Sequence, residues 1–60
     1  WDAVARLPEK LRTAVHLHYA EGYSTEEIAA LLEVPAATVR TRLHRARHQL
    51  KDLLGGIDDE

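Results

Sequence analysis

The chain has 60 residues, with 8 Lys plus Arg, 10 Asp plus Glu and no Cys. A chain of this length forms one small domain, which buries only about 60% of the surface that it exposes when unfolded. Because Cys is absent, a disulfide framework and a Cys/His metal site are excluded, and helix packing must supply the stability. The formal net charge of −2, averaged over the whole chain, argues against a nucleic-acid partner.

The first half of the chain is predicted to form two helices. A short helix over 1–6 ends before Pro8, since proline disfavours helix at the preceding residue and fits the first position of a new one. The second helix runs from Pro8 to about Ala20, and Gly22 is expected to end it in a left-handed conformation. Its inner face is predicted from residues at helical spacing: Leu11, Ala14, Val15 and His18. Leu17, Leu54 and Ile57 fall off the main apolar stripes.

Two further helices are predicted in the second half. Ser24 and Glu27 have the spacing of a capping box, so the third helix begins there, and Pro35 ends it. The fourth helix runs from about Ala36 to Leu54. One apolar stripe repeats along it at spacings of four and three: Val39, Leu43, Ala46, Leu50 and Leu53. The predicted fold class is therefore all-α, a compact four-helix domain over 1–54 followed by a disordered acidic tail at 55–60.

The charge is distributed very unevenly along the chain. The net charge is −3 over 1–35, +5 over 36–51 and −4 over 52–60. Because phosphate binding depends on the local field, the block of +5 permits a nucleic-acid partner despite the negative total. From charge alone, a solvated basic face remains the alternative. The acidic flanks lead us to expect modest DNA binding by this chain on its own.

The third and fourth helices are predicted to form a helix-turn-helix, in which the second helix enters the major groove of DNA. Ala29 is small where the two helices meet, Val34 points inward from the turn and Val39 anchors the longer helix. The face opposite the apolar stripe carries polar, basic and small residues: Ala37, Arg40, Thr41, His44, Arg45 and His48. The motif therefore predicts a DNA-binding domain.

Three strings of the sequence carry a resemblance to a known family: LPEKLR, EGYSTEEIAALL and VPAATVRTRLHRARHQL. Over about residues 7–54 the chain resembles region 4 of bacterial RNA polymerase sigma factors of the extracytoplasmic-function (ECF) group. The resemblance implies that the helix over about 36–54 reads the −35 promoter element. The implied base-contacting residues are Arg40, Thr41, His44 and Arg45. It also implies docking on the β-subunit flap of RNA polymerase and masking by an anti-sigma factor. Glu33 stands where this family often has Gly, so a positive φ there would cost about 1 kcal/mol.

Contacts to the DNA backbone are predicted at the amino ends of the last two helices, where N–H groups and hydroxyls converge and small residues allow close approach. The candidates are Ser24, Thr25, Ala36, Ala37 and Thr38. Arg42 and Arg47 lie toward the flanks of the long helix. We expect them to contact phosphates or to form salt bridges, with Glu26 and Glu27 as partners.

Other classes of function are less favoured by the residues. We expect no enzyme, no cofactor and no metal, since no catalytic constellation is visible and His44 and His48 lack a third ligand. Trp1, Tyr19 and Tyr23 are expected in the core or at its rim. The longest apolar run, 28–32, is too short to span a bilayer, and we expect a cytoplasmic monomer without a secretory signal. Two alternatives stay open: the output domain of a two-component response regulator, and a helical protein-interaction module.

Overall fold

The computed structural model describes residues 2–54, and within this range the chain is entirely helical apart from short connections. Its elements are α1 (Asp2–Ala5), α2 (Glu9–Val15), a π-helical turn (His16–Ala20), α3 (Thr25–Leu32) and α4 (Ala36–Leu53). The predicted all-α class and the four predicted helical segments are confirmed. The predicted disordered tail at 55–60 lies outside the described residues, as does Trp1.

The junction between α1 and α2 is built around Pro8. Its φ of −54° and ψ of 152° make it the N-cap of α2, and the Arg12 N–H donates to its carbonyl oxygen at 2.9 Å. The Arg12 guanidinium reaches back to the carbonyls of Leu7, at 3.1 Å, and Ala5, at 3.4 Å. Carbonyl groups at the end of a helix lack intrahelical donors. Arg12 donates to two such carbonyls at the end of α1 and thereby holds α1 against α2.

The continuation of α2 differs from the prediction, because residues His16–Ala20 form a π-helical turn rather than α-helix. A π turn changes the angular spacing of side chains, so an α-helical wheel no longer assigns their faces. Leu17, predicted to lie off the apolar stripe, packs against the core. His18, predicted on the inner face, is half-buried, and its Nδ1 donates to the Tyr23 carbonyl at 2.9 Å. Gly22 has φ 81°, which confirms the predicted left-handed end.

The core brings α2 and α3 together against α4. Its buried apolar residues come from all three helices and the first junction: Leu7, Leu11, Ala14, Val15, Ile28, Ala29, Val39, Leu43 and Ala46. Leu50 is half-buried, but Leu53, predicted on the same stripe, is 40% exposed. The eight-residue α3, and α2 together with its π-helical turn, are both shorter than the 18-residue α4 and do not cover all of it. The apolar stripe of α4 thus faces the core over most of its length, which turns its basic residues outward.

None of the helices within residues 2–54 combines the length and apolar character needed to cross a membrane.

Candidate nucleic-acid interface

The turn between α3 and α4 fixes the position of the long helix. It comprises residues 33–35, as expected for a helix-turn-helix, and Glu33 adopts the left-handed conformation with φ 59° and ψ 47°. The Val34 N–H donates to the Ala29 carbonyl at 3.0 Å, a bond that closes the end of α3. Val34 also packs against the core, and Ala29 and Val39 are buried, as predicted. These contacts set α4 across the surface of the domain.

The four side chains predicted to contact bases all lie on α4 and are all exposed: Arg40, Thr41, His44 and Arg45. At 100° per residue they share one arc of the helix, opposite the buried Val39, Leu43 and Ala46. The ring of His44 contacts that of His48 edge to face, with centroids 5.3 Å apart. The structure therefore brings these four candidates together on an accessible surface.

The amino end of α4 is open to an incoming anion. Pro35 is its N-cap and makes no side-chain capping bond, and the first turn contains no acidic residue. The Thr38 N–H donates to the Pro35 carbonyl at 3.0 Å, whereas the first N–H groups of a helix have no intrahelical acceptor. Ala37 is exposed and Ala36 is half-buried, so the backbone here is not covered by long side chains. This end of α4 has the features expected of a phosphate contact.

The amino end of α3 has a different character, although it also holds predicted phosphate contacts. Ser24 Oγ accepts from the Glu27 N–H at 3.1 Å and the Ser24 N–H donates to Glu27 Oε1 at 2.8 Å, so the predicted capping box is confirmed. Thr25 Oγ1 donates to Glu26 Oε1 at 3.0 Å. The Ser24 hydroxyl oxygen is therefore engaged with a backbone N–H, and the Thr25 hydroxyl with a carboxylate, before any DNA arrives.

Glu26 is an acid that lies beside the predicted base-reading face. A backbone N–H hydrogen bond, the Thr25 hydroxyl and the nearby Arg40 guanidinium together hold the pKa of the Glu26 carboxyl below its ordinary value. The Glu26 Oε2 lies 3.7 Å from Arg40 Nη1. Both side chains are exposed, so this pair is worth little in stability, but it holds one predicted base-contacting residue beside α3.

The partners of the flanking arginines differ from the expected ones. Glu26 pairs with Arg40, and Glu27 is committed to the capping box. Arg47 donates instead to the Tyr19 hydroxyl at 3.0 Å. Tyr19 and Tyr23 were expected in the core or at its rim, but they are 56% and 38% exposed. Tyr19 thus links the π-helical turn to α4 at the surface.

A basic groove between α2 and α4 adds a residue that the sequence did not indicate. The groove has a volume of about 410 Å³ and is lined by Lys10, Ala37, Thr38, Thr41, Arg42 and Arg45. Five of these six residues belong to α4, and Lys10 comes from the first turn of α2. Lys10 lies 26 positions or more from the α4 motif, so no local pattern could connect them.

The histidines do not assemble a metal site in the described part of the chain. Within residues 2–54, no three His, Asp or Glu side chains come close enough to hold one ion. His16 lies 3.3 Å from the Glu21 carboxylate, and His18 is bonded to the Tyr23 carbonyl.

Comparison with known proteins identifies the same motif. The family model described as Sigma-70, region 4 matches residues 1–50. The ECF RNA polymerase sigma factor SigE of Mycolicibacterium smegmatis is 52% identical over 58 residues, which are 97% of this chain and 23% of that protein. The ECF RNA polymerase sigma-E factor of Haemophilus influenzae is 42% identical over 52 residues, 87% of this chain and 28% of that protein.

A third relative, the ECF RNA polymerase sigma factor SigW of Bacillus subtilis, is 41% identical over 51 residues, 85% of this chain and 27% of that protein. The chain therefore spans about a quarter of the length of these relatives. The matches favour the sigma-factor reading over the output domain of a response regulator. With its helix-turn-helix and these matches, the chain belongs to the sigma-70 region 4 family.

Proposed function

We propose that this chain is the part of an ECF sigma factor that recognises the −35 promoter element. In this proposal α4 lies in the major groove and its exposed arc reads the base edges. Arg40 and Arg45 each donate two hydrogen bonds to the N7 and O6 of a guanine, while Thr41 and His44 contact single acceptors. The observation that carries the proposal is the exposure of all four side chains on one arc of α4, within the region 4 match.

Contacts to phosphates hold the helix in register on the duplex. The open amino end of α4 offers its N–H groups and the residues Ala36, Ala37 and Thr38. Ser24 and Thr25 at the start of α3 are the second candidate contact. Phosphate binding there competes with the Glu26 carboxylate for the Thr25 hydroxyl. It also competes with the Glu27 carboxylate for the Ser24 N–H, so we expect it to contribute less than the amino end of α4.

The partners follow from the family. The matched relatives are named RNA polymerase sigma factors, and we propose that this domain docks on the RNA polymerase core through the β-subunit flap. An anti-sigma factor is a further candidate partner. We propose a monomeric, non-enzymatic role that needs no cofactor, carried out in the cytoplasm where the promoter DNA is. The first event in this role is recognition of the promoter, which directs the polymerase to its start site.

Base reading can be tested with Arg45→Ala. A preferred duplex is first selected from a random pool with the unmodified chain, and affinities for this duplex and an unrelated one are measured by fluorescence anisotropy. Because a bidentate arginine–guanine pair discriminates by about 1–3 kcal/mol, we expect the variant to lose roughly 5- to 150-fold on the selected duplex and much less on the unrelated one.

Arg47→Ala is the matched control, since it removes the same charge from the same helix at a residue bonded to Tyr19. We expect Arg47→Ala to weaken binding to both duplexes by similar, small factors. If Arg45→Ala also lowers affinity equally for both duplexes, Arg45 contacts no base and its assignment is wrong.

A further inference from the structure

The two flanks of α4 differ in charge. On the side of α3, Arg40 lies beside the Glu26 carboxylate, and Arg47 is bonded to Tyr19 of the π-helical turn. On the side of α2, Arg42 and Arg45 line the basic groove together with Lys10. The α3 flank is therefore partly neutralised by an acid of the domain itself, whereas the α2 flank concentrates positive charge.

No carboxylate of the described residues lines the basic groove. Within residues 2–54, neither Lys10, Arg42 nor Arg45 forms a salt bridge. Lys10 is exposed on the first turn of α2, and Arg42 is half-buried on α4. Three cations held around one concavity by two different helices form a preorganised field for an anion.

The remaining lining suits a tetrahedral anion with several acceptor oxygens. Thr38 and Thr41 contribute hydroxyl donors, and Ala37 lies in the first turn of α4, where backbone N–H groups lack intrahelical acceptors. Ala37 also has no bulk to keep an anion away from the backbone. The groove shares Thr41 and Arg45 with the proposed base-reading arc, so an anion held here lies directly beside a duplex on α4.

We propose that the basic groove binds a backbone phosphate of the DNA strand that passes on the α2 side of α4, with Lys10 as a DNA-contacting residue contributed from outside the helix-turn-helix. The inference rests on the proposed function, since a duplex must lie across the exposed arc of α4. Lys10 and Arg42 neutralise the phosphate, and Thr38 donates to it. Recognition is then asymmetric: α2 fixes one strand, while the acidic start of α3 binds the other more weakly.

The salt dependence of DNA binding tests this assignment. Each phosphate neutralised by a cation contributes about −0.9 to the slope of log K against log salt concentration. We expect Lys10→Ala to reduce the steepness of that slope by about 0.9 on both the selected and the unrelated duplex. Raising the salt from about 50 to about 200 mM then weakens the unmodified chain about 3.5-fold more than the variant. Circular dichroism verifies that the variant is folded.

Lys51→Ala is the matched control, because it makes the same change near the carboxyl end of α4, about 14 Å along the helix from Arg42. We expect this control to leave the slope unchanged. A reduction as large as that of Lys10→Ala would overturn the inference, since the effect would then report overall charge rather than the groove.

Neutral methylphosphonate groups, placed singly along each strand, locate the contact. We expect one position at which the substitution weakens the unmodified chain but not Lys10→Ala. An unchanged slope for Lys10→Ala, with Arg45→Ala still relaxing base preference, overturns the groove assignment and leaves base reading standing. A reduced slope for Lys10→Ala without any relaxation by Arg45→Ala supports the groove and contradicts base reading.

Discussion

The left-handed backbone at Glu33 offers a direct measure of strain in the helix-turn-helix. With φ 59° and ψ 47°, Glu33 occupies a conformation that glycine adopts freely and other residues reach at a cost. Its side chain is exposed, so its replacement removes no packing. Glu33→Gly is therefore expected to stabilise the domain.

The size of the effect follows from two opposing contributions. Relief of the left-handed strain contributes about 1–2 kcal/mol, and the greater flexibility of glycine in the unfolded chain costs about 0.5–1 kcal/mol. The net gain in the free energy of unfolding is then about 0.5–1 kcal/mol, which in a domain of this size raises the Tm by roughly 2–8 °C. The bond from the Val34 N–H to the Ala29 carbonyl involves only backbone atoms, so the turn is retained.

The charge of Glu33 must be separated from its backbone. A carboxylate at the carboxyl end of α3 opposes the helix dipole, and its removal is worth a few tenths of a kcal/mol by itself. Glu33→Ala removes that charge but keeps a Cβ, and therefore serves as the control. Urea denaturation followed by circular dichroism gives both free energies, and we expect Glu33→Gly to exceed Glu33→Ala in stability. If Glu33→Gly and Glu33→Ala have equal free energies of unfolding, the left-handed backbone at residue 33 does not destabilise the domain and the reasoning is refuted.

Two further predictions concern the start of α3. Ser24→Ala removes the acceptor of the Glu27 N–H and is expected to cost about 1 kcal/mol in urea denaturation. Glu27→Ala should then lower the free energy of unfolding less in the Ser24→Ala variant than in the unmodified chain. An equal loss in both would contradict a capping box in which the two residues support each other. The pKa of Glu26 is lowered first by a backbone hydrogen bond, then by the Thr25 hydroxyl and Arg40, so the folded value lies below the unfolded one. Its stabilising contribution is therefore complete at neutral pH and is lost as the pH falls through the folded value. NMR titration of the Glu26 side chain should give a pKa below the ordinary value of a glutamate in a peptide, raised by Thr25→Val, and an ordinary pKa would contradict these contacts.

The local signals of this sequence were strong enough to locate the helices and the capping box. Ser24 and Glu27 are three residues apart and satisfy each other, so the start of α3 needs no tertiary contact to define it. Pro35 and the regular spacing of Val39, Leu43 and Ala46 likewise define the start and the inner face of α4. The exposed arc with Arg40, Thr41, His44 and Arg45 then follows from the helical period.

Other features could not be derived from local pattern. Leu17, in the π-helical turn, packs against the core although it lies off the apolar stripe of an α-helical wheel, which cannot predict such a turn. The exposure of Leu53 depends on where the shorter helices end beside α4. Arg47 is expected to contact a phosphate or to form a salt bridge; in the folded chain it donates to the hydroxyl of Tyr19, which lies 28 positions away.

The sequence by itself determined the all-α class, the helix-turn-helix and the surface that carries the predicted base contacts, because helix periods, caps and breaks act over a few residues. Only the tertiary structure decided which cations are neutralised and which remain available. Glu26 lies beside Arg40 and Lys10 lies beside Arg42 because α3 and α2 pack on opposite flanks of α4. The net charge of −2 therefore indicates little about binding, since an anion responds to the few charges that packing places around it.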